Sequence, residues 1–188
     1  GTTGIAYDEA AVERLLGRVP EPSLDLLFDP AVARRIAPCG IGWLDGGGWV
    51  PTNLALLALG RDPSTARVED LDAVEALFRR VRPTVRMIDS TAVEARLAAG
   101  DLCLTMGPNG DLLRVVDAAR RARPESRLRY AVPAEGGLLW VDVLVIPRGA
   151  PHPDAAYRFL DHLLEPEVAA EITDASRYAS ANRAADPY

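Results

Sequence analysis

The stretch GGLLWVDVLVIP, residues 136–147, decides the fold: an apolar run bounded by two glycines and a proline, with one acid inside it. Its length, branched side chains and flanking breakers predict a strand buried on both faces rather than a helix. Alternate side chains on a strand share a face, so Trp140, Asp142, Leu144 and Ile146 are expected to point the same way. An ionised carboxylate in such a run is costly unless something pairs with it. The indole of Trp140, two positions away on that face, sets a π surface beside the charge of Asp142. That combination suits an organic cation: the carboxylate takes the charge, and the indole takes the methylenes and the cation–π contact. The residues are equally consistent with Asp142 at a strand end, accepting a hydrogen bond from a neighbouring backbone N–H.

Upstream of this run, residues 127–132 read as a strand and 111–123 as a long helix. A Gly107-Pro108-Asn109-Gly110 turn and a strand LCLTM at 102–106 precede them. The spacing predicts helices over 91–99 and 68–82, flanking a short strand at 85–89. In the second helix, Val68, Leu71, Val74, Leu77, Phe78 and Val81 form a core-facing stripe. Gly46–Gly48 opens a helix over 50–59. It lacks both the Gly-Lys-Ser/Thr ending of a phosphate loop and the dinucleotide fingerprint, so it reads as a tight turn after the strand IGWLD. Asp29 followed by Pro30 is an N-cap with a first-turn proline. Residues 1–8 form a strand that runs into a helix over 9–16. Beyond Pro147, helices over 153–164 and 167–175 are split by Glu165-Pro166, and 178–188 is loop-like. Strands alternating with helices predict an α/β layered sheet forming one domain over 1–188.

A chain of 188 residues with 48% hydrophobic content suits one well-filled globular domain. A net charge of −6 without a basic stripe argues against non-specific nucleic-acid binding. All 21 basic residues are arginine, which reads as coding bias rather than chemistry. No apolar run approaches membrane-spanning length, so direct membrane insertion is not expected. No signal sequence precedes Gly1 and no initiator Met is present, which reads as a processed or excised chain. Cys39 and Cys103 lie far apart, and with only His152 and His162 beside them no metal-binding spacing exists. The two thiols read either as buried and free or as a single bridge. There is no GxSxG, and the acid pairs Asp70/Asp72 and Glu165/Glu167 fall on helix faces or caps. Neither a nucleophile with its base nor a cofactor loop supports an α/β enzyme, so no cofactor is expected.

Several blocks together resemble the bacterial periplasmic polyamine-binding proteins, the putrescine/spermidine receptors of ATP-binding-cassette importers. They are GTTGIAYD at residue 1, CGIGWLD at 39, LALGRDPST at 57, GDLCLTMG at 100 and the run at 136. YRFLDHLLEPEVA at 157 and RYASANRAA at 177 complete the set, which spans almost the whole chain. The resemblance implies a type II periplasmic-binding-protein fold, in which two α/β lobes joined by hinge strands close on a ligand. In that family the chain enters lobe two near a segment like GTTGIAYD and leaves it after one like RYASANRAA. This chain therefore looks like the second lobe alone, with the first lobe missing. The family is exported to the periplasm and works with membrane-embedded permease subunits.

The resemblance also implies a ligand set. Trp140 and Asp142 match an aromatic and an acid that hold the solute, Asp111 matches an acid opening the helix after the turn, and Tyr178 matches an aromatic lining the cleft. Asp111 reads equally as a first-turn acid favoured by the helix dipole, and Tyr178 as a loop tyrosine packed on a helix end. Two positions depart from the pattern: Trp49 stands where the family usually has Glu, and Pro108 where it usually has Trp. One counter-charge and one stacking wall are thereby lost, and the indole of Trp49 is placed to replace the wall from the other side. The expected ligand is a putrescine- or spermidine-like polyamine, or alternatively a different small cationic or zwitterionic solute. Export further implies a Cys39–Cys103 disulfide.

Overall fold

Thr2–Asp8 forms strand β1, whose residues from Thr3 to Tyr7 are all buried. Ile5 and Tyr7 enter one apolar cluster and Ala6 the opposite one, the two-residue alternation of a strand covered on both faces. Gly4 is required by close approach, since a Cβ there would lie 2.5 Å from the Ala131 carbonyl oxygen. Asp8 ends the strand and caps helix α1 (Glu9–Leu16), its carboxylate accepting from the Ala11 N–H at 2.8 Å. Helices α2 (Asp25–Phe28) and α3 (Pro30–Ile36) follow, and Asp29 caps the latter by accepting from the Ala31 and Val32 N–H groups.

The computed structural model describes residues 1–187. After α3 the chain runs through β2 (Ile41–Trp43), a 3-10 turn at Gly46–Gly48, α4 (Trp49–Ala58), α5 (Val68–Val81), β3 (Val85–Ile88) and α6 (Val93–Ala99). It continues through β4 (Leu104–Pro108), α7 (Asn109–Ala122), β5 (Leu128–Ala131) and β6 (Leu138–Leu139). The strand order is β3-β2-β4-β1-β5, with β6 also paired to β1. β2 is parallel to β3 and β4, whereas β1 is antiparallel to β4, β5 and β6. Helices α1 to α5 pack on one face through residues such as Val12, Leu27, Ile36, Leu54 and Leu77. Helices α6 and α7 cover the other through Val93, Leu97, Leu112 and Val116. This is a three-layer α/β sheet, as the alternation of elements predicts. Glu9 accepts from both Arg127 and Arg129, which ties α1 to the start of β5 and holds the Glu9 carboxyl below its usual range.

These elements make up one compact unit, Thr2–Leu139; the rest of the chain, Trp140–Tyr188 with Gly1, makes up a second. In the second unit Trp140 donates its N–H to the Gly1 carbonyl at 3.0 Å, and Gly1 N donates to the Trp140 carbonyl at 2.7 Å. Helices α8 (Pro153–Leu163) and α9 (Pro166–Ser176) follow, each with proline in its first turn. The Asn182 side-chain amide donates to the Leu164 carbonyl at 2.6 Å, fastening the last loop to the end of α8.

Two expectations are corrected. Residues 136–147 do not form a doubly buried strand: β6 stops at Leu139, and Val141, Val143 and Val145 are 72%, 75% and 78% exposed. Among the described residues no strand forms a ladder with residues 140–147, so the apolar alternation has no neighbour against which to bury. Residues 107–110 do not form a turn, because β4 runs to Pro108 and α7 starts at Asn109. Pro108 has φ −63° and ψ 143°, an extended geometry that keeps it in register with Thr3 while its ring cannot continue the ladder on its N–H side.

Cys39 and Cys103, just before β2 and β4, form a disulfide with Cα atoms 5.5 Å apart, the two residues being 64 positions apart in sequence. Closing a loop of that length stabilises the fold by roughly 4 kcal/mol in the chain-entropy model. Replacing both cysteines by alanine should therefore lower the urea midpoint under oxidising conditions by an amount equivalent to about 2–4 kcal/mol. A variant with an unchanged midpoint would show that the bridge carries no stability.

Candidate functional site

Three of the residues singled out from sequence lie in the larger unit. Trp49 opens α4 directly after Gly48, whose left-handed φ of 76° makes the sharp entry that swings the indole outward, half exposed. Pro108 closes β4 and precedes the first turn of α7. Asp111 sits in that first turn, where the exposed end of the helix dipole favours a negative charge. The turn is pinned from outside: Asn109 Oδ1 accepts from the Thr2 N–H at 2.8 Å, and the Thr2 and Tyr130 hydroxyls lie 3.2 Å apart.

Asp111 is not an open carboxylate. Its Oδ1 accepts from Arg114 Nη2 at 2.7 Å, an i,i+3 pair along α7, with the two side chains 29% and 51% exposed. Across from it, on α6, stands the half-buried Glu94. Burial pushes the Glu94 carboxyl above its usual range, the Asp111 charge pushes it further, and Arg114 partly offsets both. Reading motifs left Glu94 and Arg114 out, although the Asp111–Arg114 spacing was a visible helical-pair signal.

The other three residues lie in the smaller unit. Trp140 and Tyr178 meet edge to face, with ring centroids 5.3 Å apart and planes inclined at 63°. Asp142 is exposed. Tyr178 is half-buried and held at the end of α9, its N–H donating to Ser176 Oγ at 3.3 Å. The structure thus brings Trp140 and Tyr178 together as a two-sided aromatic corner, and it places Asp111 beside an arginine instead of alone.

A separate apolar hollow of about 380 Å³, lined by Trp43, Pro51, Phe78 and Ile88, contains none of the six residues. Among the described residues no group of three or more His, Cys, Asp or Glu side chains is placed to hold a metal ion. No described helix is long and apolar enough to cross a membrane.

Comparison with known proteins connects these features. Residues 1–187 match the family model described as bacterial extracellular solute-binding protein. The chain is 34% identical over 191 residues to the putrescine-binding periplasmic protein SpuD of Pseudomonas aeruginosa, covering 100% of this chain and 51% of that one. It is 35% identical over 188 residues to the putrescine-binding periplasmic protein PotF of Escherichia coli, covering 99% and 50%. Each of these is named a binding protein, not an enzyme. Among solved structures, the spermidine/putrescine substrate-binding protein PotD of Streptococcus pneumoniae superposes with a TM-score of 0.79 at 24% identity, covering 97% of this chain and 51% of that one. The chain spans about half the length of the curated relatives it matches.

The raised Glu94 value carries a stability consequence. A carboxyl whose folded value lies above its unfolded one favours folding when protonated; that contribution is complete below the unfolded value, about 4.3, and is lost as pH rises through the folded one. Glu94→Gln should therefore raise the melting temperature at pH 7 and leave it unchanged at pH 3.5. Thermal unfolding at the two pH values checks this, and an equal shift at both would rule out a charge origin.

Proposed function

The chain belongs to the bacterial extracellular solute-binding protein family, and from that premise we propose that it is part of the periplasmic receptor of an ATP-binding-cassette importer. The solute is a small organic amine, with polyamines of the putrescine and spermidine kind first among the candidates. The observation that carries this reading is sequence similarity along the whole of this chain to putrescine-binding proteins, about half of whose length it spans; Asp111, Trp140, Asp142 and Tyr178 are the ligand set that the resemblance implies.

The chemistry needs no catalysis. Carboxylates take ammonium groups through charge-assisted hydrogen bonds, and the Trp140–Tyr178 corner packs against methylenes. The solute is then handed to permease subunits in the membrane. The second lobe of the type II fold is assigned to this chain as part of the same proposal, the remaining half of the receptor lying in sequence outside these residues. A second reading, a solute with a single cationic centre or a zwitterion, is favoured by one specific observation: Trp49 occupies the position at which the family usually supplies another acid.

Calorimetry of the complete two-lobe protein with putrescine and spermidine, alongside Asp142→Asn, tests the proposal. Binding that the substitution weakens by roughly 10- to 100-fold is expected, the loss of one charge-assisted contact. The 188-residue chain alone should bind far more weakly, because half of the enclosing surface is absent. No heat with either amine would remove polyamines from consideration.

A further inference from the structure

The larger unit contains an internal cation at the residue expected to receive the ligand's charge. Arg114 Nη2 donates to Asp111 Oδ1 at 2.7 Å, and this is a single contact, not a bidentate fork. Among the described residues the remaining guanidinium N–H groups of Arg114 make no other hydrogen bond, and the side chain is 51% exposed. Glu94 supplies the second acid of the group from α6, and its charged form is opposed by burial. Three ionisable side chains on two packed helices therefore offer at most one net negative charge. A diamine presents two positive charges and no acceptor, so an ammonium that takes the Asp111 oxygen not engaged by Arg114 is set beside the like charge of that guanidinium. A solute that carries an ammonium and a carboxylate satisfies both partners of the pair: its carboxylate takes the remaining N–H groups of Arg114 while its ammonium takes the Asp111 oxygen that Arg114 leaves open.

We infer that Arg114 is a specificity-determining residue, tilting the site away from diamines and towards small amines that also carry a carboxylate. The inference rests on the proposed solute-binding role of Asp111. It concerns selectivity within that role, and it adds to the loss of acid at Trp49 a second, independent reduction of the negative charge open to a polyamine.

A matched pair of probes isolates the effect. Putrescine and 4-aminobutyrate share one four-carbon skeleton and differ in that one ammonium is replaced by a carboxylate. Both are titrated into the complete two-lobe protein, its Arg114→Gln variant and its Arg114→Lys variant. In Arg114→Gln, putrescine should bind about fivefold tighter and 4-aminobutyrate about fivefold weaker, the range of one partly exposed ion pair. The ratio of the two affinities then moves by roughly 25-fold. Arg114→Lys, which keeps the charge, should leave the ratio close to that of the parent protein. A ratio unmoved by Arg114→Gln, with binding otherwise intact, overturns the inference alone. An Asp111→Asn variant that binds both probes as the parent does removes Asp111 from the site, and the role proposed for it fails with the inference.

Discussion

The structure of the larger unit depends on one strand being hydrogen-bonded along both edges while both of its faces are buried. β1 lies antiparallel between β4 and β5, with Ile5 opposite Met106 on one side and Ala131 on the other. Its pleat sends Ile5 and Tyr7 into the cluster under α1 to α5 and Ala6 into the cluster under α6 and α7. A slip of one residue would exchange these faces, setting the small Ala6 where Ile5 and Tyr7 now pack. The same register locates the start of α7. Thr3 stands opposite Pro108, and the neighbouring Thr2 gives its N–H to Asn109, so the first turn containing Asp111 is placed by β1 and not by its own loop.

Local signals in this unit were legible because each has a local cause. The Asp29-Pro30 pair caps and opens α3 as read, and the stripe from Val68 to Val81 forms α5, with Val74, Leu77 and Val81 buried, whereas Val68 and Leu71 in its first turns are exposed and do not join the core. Gly46–Gly48 makes a tight strand-to-helix turn, with Gly47 and Gly48 at positive φ. The run at 136–147 was misread for a non-local reason. Apolar alternation records the surroundings in which a segment is buried, and those surroundings are strands supplied by other parts of a chain. Leu138 finds such a neighbour in β1 and is buried; the valines beyond Trp140 do not and are exposed. Helix α8 shows the same effect, since it is amphipathic in sequence yet has no buried residue. Both are segments whose apolar residues find no covering element among the described residues.

The Cys39–Cys103 bridge falls between these extremes. Spacing alone left the two thiols open to either state, and only the resemblance to an exported family predicted the pairing. Its feasibility was set by topology: β2 and β4 are parallel neighbours, and the residues just before them are brought to 5.5 Å between Cα atoms.

Legibility is lowest for charge. A sequence displays carboxylates, but a ligand meets only those that the fold has not already paired. Asp111 is engaged by Arg114, Glu94 is biased by burial towards its neutral form, and Glu9 is fully occupied by Arg127 and Arg129. Asp142, by contrast, is exposed. In the solute-binding role proposed for Asp111, an incoming ammonium therefore meets the like charge of Arg114 beside the carboxylate. Under that proposal the outcome for a given amine depends on whether it can also satisfy that arginine. A diamine has no group with which to do so, and a zwitterion does. Discrimination of this kind comes from the group left unpaired by the wrong ligand as much as from contacts made with the right one.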